Sequence, residues 1–321
     1  MALQSSGQIK MSELNAEFGL LETRMLRLKD ASDGTAGTIN TANASTDRPD
    51  GTAPHAISEF YSYDHNASSL VDNDYYWVGD GVNDTLRNSG SSIGYTTSSD
   101  FSYSAWFRID ETSNAVQQLG SVSTSTPSGN NQIFIMYHST NNRLMFRYRH
   151  GGSFHQKFVR LQDHTSITGV DSNGWKSSNR GNVNSDNQCM ITFTYDASDR
   201  NASSGLKIYW NGSALTTNNQ VNSISSPSHW TAGSFAIGDL ISSATNNANV
   251  FKGAIDQAAF YGKVLSSSEI TTLYNSGTPI TGVDASLTTS LLGEYRLENN
   301  ANNSASTFPN LTNTGGTFTA Y

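Results

Sequence analysis

The chain contains little charge and almost no cysteine. Charged residues make up 14% of its 321 residues, whereas an average domain has roughly 25%. Polarity comes instead from Ser, Thr, Asn and Gly, which favour turns, loops and strands over helix interiors. The composition therefore predicts an all-β fold with many loops. The single cysteine, Cys189, excludes an intrachain disulfide, and its place in the apolar run CMITFTY predicts a buried, inert thiol.

Basic clusters and long apolar runs are also missing. The formal net charge is −8 and no run of basic residues occurs, so we expect no nucleic-acid partner, because phosphate binding needs clustered Lys and Arg. We expect no membrane span either, because no apolar stretch approaches roughly 18–20 residues. Residues 1–19 lack the basic-then-apolar pattern of a signal peptide. The sequence therefore predicts folding in a reducing cytoplasm and no classical secretion.

Residues 1–66 have a different pattern from the rest of the chain. Ser12 can cap a helix, and five apolar residues follow it at alternating spacings of four and three, which places them on one helix face. So short a helix is marginal in water without a partner. We favour docking on another subunit or self-association; the alternative is an amphipathic helix that packs on its own domain. The seam residues are Leu14, Phe18, Leu21, Met25 and Leu28.

A polar linker and an aromatic cluster follow this helix. Residues 30–54 contain almost no large apolar side chains, which predicts an extended linker or surface arm. The next segment, HAISEFYSYDH, contains Phe60, Tyr61 and Tyr63. It is either a second docking point or the first piece of the following domain. We predict that residues 1–66 form an attachment arm, which binds through the seam and through Phe60 and Tyr61.

From residue 67 to residue 278 the pattern changes to short strands separated by turns. Each β-prone run is bounded by Gly, Asn, Ser or Asp, which suits an antiparallel β-sandwich. A short helix with a Ser cap and a Gly stop is predicted at 266–277. Residues 279–321 return to short strands, and we predict an extension packed on the sandwich or on a neighbour. The runs are FSYSAWFRID (101–110), QIFIMYH (132–138), RLMFRYRH (143–150), CMITFTYD (189–196), LKIYWNG (206–212), SFAIGD (234–239) and AIDQAAFYG (254–262).

The order of these motifs resembles the laminin-G/concanavalin A-like jelly-roll superfamily. YYWVGDGVNDTL (75–86) is similar to its first core strand and DGxxD turn, and FSYSAWFRID to its early strand. MITFTYD followed by LKIYWNGSAL is similar to its central hairpin. FKGAIDQAAFYGKVLSSSEITTLYN (251–275) is similar to its closing strand and helix and is the most specific piece. The resemblance covers about two-thirds of the chain and implies an all-β, antiparallel jelly-roll β-sandwich with a short N-terminal helical arm.

A second resemblance concerns the N-terminal segment. SGQIKMSELNAEFG together with ISEFYSYDH resembles the N-terminal segments of tailed-phage virion proteins, in which a G-x-I-x-x-S-E-L/I helix start precedes an I-S-x-F-Y segment. It implies a phage virion structural protein, such as a neck, tail, fibre or capsid-decoration component, assembled in the host cytoplasm. The arm would bind other virion proteins, and we expect a homo-oligomer that displays the sandwich toward host-surface glycans. The alternatives are a bacterial surface or secreted carbohydrate-binding lectin and, less favoured, a polysaccharide-degrading enzyme.

The acid groups of such an enzyme are missing from the sequence. Glycoside hydrolysis needs two carboxyl groups that flank the scissile bond, and a retaining glucanase of the resembled superfamily carries Glu-x-Asp-x-x-Glu on one strand. That pattern does not occur, and between residues 60 and 290 the only glutamates are Glu111 and Glu269. No G-x-S-x-G elbow or phosphate-binding glycine loop occurs either. We therefore predict a protein without enzymatic activity.

Calcium is the one cofactor that the first resemblance suggests. In the resembled superfamily a structural calcium commonly joins the early DG turn to the Asp of the closing G-x-I-D strand. Those positions are Asp80 and Asp256 in this chain. The alternative makes Asp256 a buried hydrogen-bond acceptor and Asp80 a turn residue.

Carbohydrate binding is the function that the resembled fold suggests. Sugar sites combine an aromatic face with amide and carboxylate groups, and the aromatics outside clear strand patterns are the candidates. Alternatively, such tryptophans fill a small core of their own loop. The long segment 151–188 is the preferred contact surface, because long loops on rigid scaffolds are often functional. The predicted carbohydrate-binding residues are Trp175, Trp230, Tyr137 and Asn141.

Overall fold

The fold consists of two compact units, Met1–Asp72 and Asn73–Tyr321. None of the helices in the described ranges is both long and apolar enough to cross a membrane. The computed structural model describes residues 3, 8–21, 25–37, 39, 49–61, 63, 75–88, 93, 95–110, 116–124, 130–138, 143–151, 153–164, 170–171, 174–175, 189–199, 205–216, 219–222, 229–239, 249–275, 287, 290–305 and 307–320.

The described elements are mostly β-strands, as the composition predicts. The helices are α1 (Met11–Glu17), α2 (Leu28–Ser32) and α3 (Ser267–Tyr274), with 3₁₀ turns at Ile57–Phe60 and Leu161–Asp163. The strands are β1 (Tyr75–Asp80), β2 (Thr85–Asn88), β3 (Phe101–Ile109), β4 (Val116–Ser123), β5 (Gln132–His138), β6 (Arg143–His150), β7 (Ser153–Arg160), β8 (Val170–Asp171), β9 (Gly174–Trp175), β10 (Cys189–Tyr195), β11 (Leu206–Trp210), β12 (Ser213–Ala214), β13 (Asn219–Asn222), β14 (Ser234–Ile237), β15 (Lys252–Tyr261), β16 (Leu291–Tyr295), β17 (Thr312–Thr314) and β18 (Thr317–Ala320).

Two eight-stranded antiparallel sheets form most of the described part of the second unit, and β8 and β9 pair in a separate two-stranded sheet. Sheet A has the order β12-β11-β10-β3-β15-β1-β18, with β16 also paired to β15. Sheet B has the order β13-β7-β6-β5-β4-β14-β2-β17. The predicted all-β antiparallel sandwich is therefore confirmed. Of the C-terminal strands, β16 and β18 pair within sheet A and β17 pairs at the edge of sheet B.

The main core lies between the two sheets. Strand β3 shows how the sequence builds it: Phe101, Tyr103 and Phe107 are fully buried in this core, while the intervening serines lie on the opposite face. Successive strand residues point to opposite faces, so the alternating pattern in FSYSAWFRID fixes which face is buried. Cys189 joins the same core, and burial raises the pKa of its thiol. This agrees with the predicted inert cysteine.

Helix α3 covers the outer face of sheet A. Its predicted Ser cap is present, because the Ser266 hydroxyl accepts a hydrogen bond from the Glu269 backbone N–H. The helix ends at Tyr274 rather than at Gly277, since Asn275 adopts a left-handed φ of 44°, which asparagine tolerates better than most residues. Tyr274 stacks on Trp106 of β3 with ring centroids 5.8 Å apart.

The N-terminal unit contradicts the predicted helical seam. Helix α1 ends at Glu17, and Gly19 follows it with a φ of 64°, so Leu21 and Met25 do not continue its apolar face and are 80% and 98% exposed. Leu14 and Phe18 are buried instead against residues from the end of the arm. A helix of this length gains little by itself, and burial in a local core is worth more. That core also contains Phe60 and Tyr63, with Leu28 and Tyr61 packed against it.

Candidate functional site

The outer face of sheet B is the candidate functional surface. On β6, Leu144, Phe146 and Tyr148 point into the core. The alternate residues Arg143, Met145, Arg147 and Arg149 therefore lie on the outer face. The three arginines of this strand, with Arg160 of β7 opposite Arg143, are called the arginine face below.

Aromatic rings of β7 support the guanidinium groups. The Arg143 guanidinium lies 4.7 Å from the Phe158 ring centroid, and that of Arg147 lies 4.8 Å from the Phe154 centroid. Both rings are diagonal neighbours in the antiparallel ladder, a spacing that long side chains can bridge. The Arg147 Nε also donates a hydrogen bond of 2.7 Å to Gln156 Oε1. Cation–π contacts and this hydrogen bond hold the guanidinium groups in defined positions.

The charges of the arginine face repel one another. Burial lowers the pKa of Arg147, and the charges of Arg149 and Arg143 lower it further. Burial followed by the charge of Arg160 lowers the pKa of Arg143. Arginine nevertheless stays protonated in proteins, and like charges directly opposite in a ladder are destabilising. The fold therefore keeps a positive cluster at a cost in stability.

Acidic residues do not compensate this charge within the sheet. None of the strands that the structure describes in sheet B contains Asp or Glu, and the sequence has neither between residues 112 and 162. The Nε atoms of Arg143 and Arg149 are shielded from solvent, yet no acceptor for them exists among the described residues. The arginine face is thus a positive surface on a chain whose formal net charge is −8.

Beside the arginines lies an apolar floor. Phe134 and Met136 of β5 pack with Met145 and Phe158 in a small cluster on the outer face, each less than a tenth exposed. His138 stands at one end of this floor, opposite Val116; burial lowers its pKa, and the charge of Arg143 lowers it further. The arrangement places a mostly covered apolar cluster beside fixed hydrogen-bond donors.

Two of the predicted carbohydrate-binding residues lie in the core, so their assignment is wrong. Tyr137 is 1% exposed and points between the sheets. Trp230 is 7% exposed and stacks on Tyr148 with centroids 6.4 Å apart. Both are large apolar groups whose burial stabilises the sandwich, so neither offers a ring to a ligand.

The other two predicted residues cannot be placed in a site. Asn141 lies outside the described residues, and for Trp175 the structure describes the backbone in β9 but not the side chain. Of the predicted contact segment 151–188, the first part is β7, which carries Phe154, Gln156 and Phe158 of the candidate surface. Residues 152, 165–169, 172–173 and 176–188 lie outside the described ranges.

The structure does not bring Asp80 and Asp256 together. Asp80 pairs with Lys252, four residues before Asp256 on β15, which corresponds to about 13 Å along the strand. One calcium ion binds its oxygen ligands at about 2.3–2.6 Å, so the predicted shared site is wrong. Asp80 accepts a hydrogen bond from Val82 N in its turn, and Asp256 is buried and accepts one from Gln257 N. Within the described ranges, no group of three or more His, Cys, Asp or Glu could hold a metal ion.

The arginine face was missed because its basic residues are not consecutive. The sequence RLMFRYRH places arginines at alternate positions of one strand, and a search for basic runs overlooks this period of two. Read together with the acid-free stretch 112–162, the pattern predicts a positive sheet face.

The two packed antiparallel sheets define a lectin-like jelly-roll β-sandwich. A profile of the concanavalin A-like lectin/glucanases superfamily matches residues 80–271, more than half of the chain. The chain therefore belongs to the concanavalin A-like lectin/glucanase superfamily.

Solved structures with some likeness to the chain have low sequence identity. A heptameric SAP-like pentraxin from Limulus polyphemus is 12% identical over 78% of this chain and 97% of its own, with a TM-score of 0.48. The Ruminococcus gnavus IT-sialidase CBM40 bound to α2,3-sialyllactose is 15% identical over 61% of this chain and 100% of its own, with a TM-score of 0.37. No curated protein sequence matches the chain.

Proposed function

We propose that the protein is a non-catalytic lectin-like module that binds saccharides on the outer face of sheet B. The observation that carries the proposal is the juxtaposition of an apolar floor with fixed guanidinium and amide groups on one face of a lectin-family sandwich. Ligand sites commonly combine an apolar surface with a few positioned polar groups that set orientation. A sugar ring presents an apolar face and peripheral hydroxyls, which this combination matches.

The distribution of carboxylates supports saccharide binding over glycoside hydrolysis. Glycosidases place two carboxyl groups about 5–10 Å apart around the scissile bond, and the described strands of sheet B contain no Asp or Glu. Two buried aspartates elsewhere are engaged in structural contacts: Asp256 with the Gln257 backbone, and Asp239 with Arg87. The outer face of sheet B is therefore suited to holding a saccharide intact.

We predict that substitution of Phe154 by Ala lowers glycan affinity at least about tenfold, which corresponds to about 1.4 kcal/mol. The ring supports the Arg147 guanidinium, so its removal loosens a donor as well as the apolar surface. Binding of the full chain to a glycan array, followed by calorimetry with the best glycan, measures the effect. Tyr75→Ala, a partly buried aromatic on sheet A, is the matched control. Equal affinity of the Phe154 variant and the parent would contradict the proposed surface.

We further propose that the N-terminal unit attaches the sandwich to a phage particle as a virion structural component, in a homo-oligomer that multiplies weak glycan binding by avidity. The resemblance of SGQIKMSELNAEFG and ISEFYSYDH to virion segments supports this role. So does the exposure of Leu21 and Met25 on a unit that has its own hydrophobic core. Burying two such side chains against another virion protein would contribute about 1.5–3 kcal/mol each.

Replacing Leu21 and Met25 together by Ser is expected to reduce incorporation into particles at least about tenfold, since roughly 3 kcal/mol of apolar burial is lost. Mass spectrometry of purified particles, with peptides of the major capsid protein as reference, measures incorporation. Val82→Ser alters an exposed apolar residue of the sandwich and should leave incorporation unchanged. Recovery of the chain only as an exported, particle-free monomer would favour a bacterial surface or secreted lectin instead.

A further inference from the structure

The arginine face contains more positive charge than a neutral sugar requires. Neutral saccharides are bound through hydroxyls, for which amide and backbone groups suffice. Here three arginines of one strand share a face, and Arg160 stands opposite the first of them. Burial lowers the pKa of Arg143 and Arg147, and repulsion by neighbouring arginines lowers it further. A bound anion would relieve this repulsion.

The geometry of the guanidinium groups specifies the kind of anion. The rings of Phe158 and Phe154 lie under the guanidinium groups of Arg143 and Arg147, and a planar guanidinium fork matches the oxygens of carboxylate or sulfate. The Nε atoms of Arg143 and Arg149 have no acceptor within the described part of the chain. The protein therefore leaves both guanidinium groups without a full set of acceptors.

The spacing along β6 indicates more than one anionic group. Arg143 and Arg147 are four residues apart, about 13 Å along the strand, and Arg149 follows about 7 Å further on. A single carboxylate cannot contact both ends of this row. A ligand with acidic groups at intervals along its length can contact the whole row.

We propose that the arginine face binds an acidic saccharide, one that carries carboxylate or sulfate groups at more than one position. This inference rests on the proposed glycan-binding function and names its ligand class. Nucleic acid is less suited to the surface, because Phe154 and Phe158 have guanidinium groups over their rings, whereas single strands need open aromatic faces for base stacking.

Three polymers with the same backbone test the proposal: neutral dextran, carboxymethyl dextran and dextran sulfate. We expect the full chain to bind one or both acidic polymers at least tenfold more tightly than dextran. The affinity should fall as ionic strength rises from 50 to 300 mM, because salt screens exposed charges. Comparing the affinities for carboxymethyl dextran and dextran sulfate shows whether the guanidinium groups prefer carboxylate or sulfate. Free glucuronate, with one carboxylate, should bind at least tenfold more weakly than the carboxymethyl polymer.

Charge-removing substitutions locate the site. Arg143→Gln combined with Arg149→Gln should lower acidic-polymer affinity at least tenfold, whereas Arg147→Lys keeps the charge and should retain part of it. Lys207→Gln removes one exposed positive charge on β11 of sheet A and should have no effect. Circular dichroism melting checks that each variant is folded, and the salt titration and polymer comparison on the unmodified chain test the ligand class independently of any variant.

The outcomes separate this inference from the function on which it rests. Binding to neutral glycans with no preference for acidic polymers overturns the ligand class but leaves the glycan-binding function intact. Absence of binding to every saccharide overturns both. Binding of single-stranded DNA as tightly as carboxymethyl dextran overturns the saccharide assignment in favour of a general polyanion surface. If the Arg143→Gln/Arg149→Gln variant binds acidic polymers as tightly as the parent does, the ligand does not bind at the arginine face.

Discussion

Replacing Trp77 by Ala is expected to lower the free energy of unfolding by about 3–5 kcal/mol, the range typical of a large aromatic removed from a core. Trp77 is fully buried on the inner face of β1. Its indole N–H donates a hydrogen bond of 3.0 Å to Asn313 Oδ1 on β17. Because β1 belongs to sheet A and β17 to sheet B, this side chain connects the two sheets. Its loss removes apolar burial and leaves the Asn313 side chain without this donor.

Glycines form the walls of the Trp77 pocket and limit how far it can collapse. A Cβ added at Gly316 would lie 2.3 Å from Trp77 Nε1, and one added at Gly79 would lie 2.8 Å from the ring. Gly238, with a φ of 72°, lies against the same edge of the indole as Gly79. Since these residues have no side chains to move into the vacated space, the cavity term adds to the lost transfer energy.

Urea unfolding followed by circular dichroism measures the effect of Trp77→Ala without relying on the fluorescence that the substitution removes. Val82→Ala is the control, because Val82 is 67% exposed and such changes usually stay within about 0.5 kcal/mol. Asn313→Ala should cost about 1–3 kcal/mol by leaving the buried indole N–H unpaired. A loss below about 1 kcal/mol for Trp77→Ala would show that the indole does not hold the sheets together.

The strands were predictable because their alternation is strong. In FSYSAWFRID the large apolar residues recur at every second position, and the core follows that period. In QIFIMYH both faces are apolar, so the sequence does not say which set points inward. Ile133 and Tyr137 lie in the core, while Phe134 and Met136 lie on the outer face. Tyr137 was therefore predicted as an exposed ring although it is buried.

The helical seam of the arm and the shared Asp80–Asp256 calcium site were mispredicted for different physical reasons. A 4-3 spacing of apolar residues identifies a helix face only while the helix continues, and it ends before Gly19. Spacing also does not reveal that Phe18 stacks on Tyr63, whose ring centroid lies 5.8 Å away. Pairing Asp80 with Asp256 required the register of β1 against β15, which a sequence alone does not provide.

The second large effect is expected at the buried ion pair between Arg87 and Asp239. Arg87 of β2 donates through Nη2 to the Asp239 carboxylate, whose side chain is fully buried, while the arginine side chain is 16% exposed. Asp239→Ala leaves the guanidinium largely desolvated without its acceptor. Breaking a buried pair in this way costs about 3–5 kcal/mol, and the partial exposure of Arg87 places the expected loss near the lower end of that range.

A double-mutant cycle isolates the interaction between the two side chains. Asp239→Ala and Arg87→Met are each expected to lower the free energy of unfolding. The double variant should lose less than the sum of the two single losses, because neither charge is then buried without its partner. The coupling energy should fall within about 0.5–3 kcal/mol, the range of residues in direct contact. It should also persist in high salt, because screening weakens exposed pairs far more than buried ones. Additive single effects would show that the Asp239 side chain stabilises the fold through contacts other than the charge of Arg87.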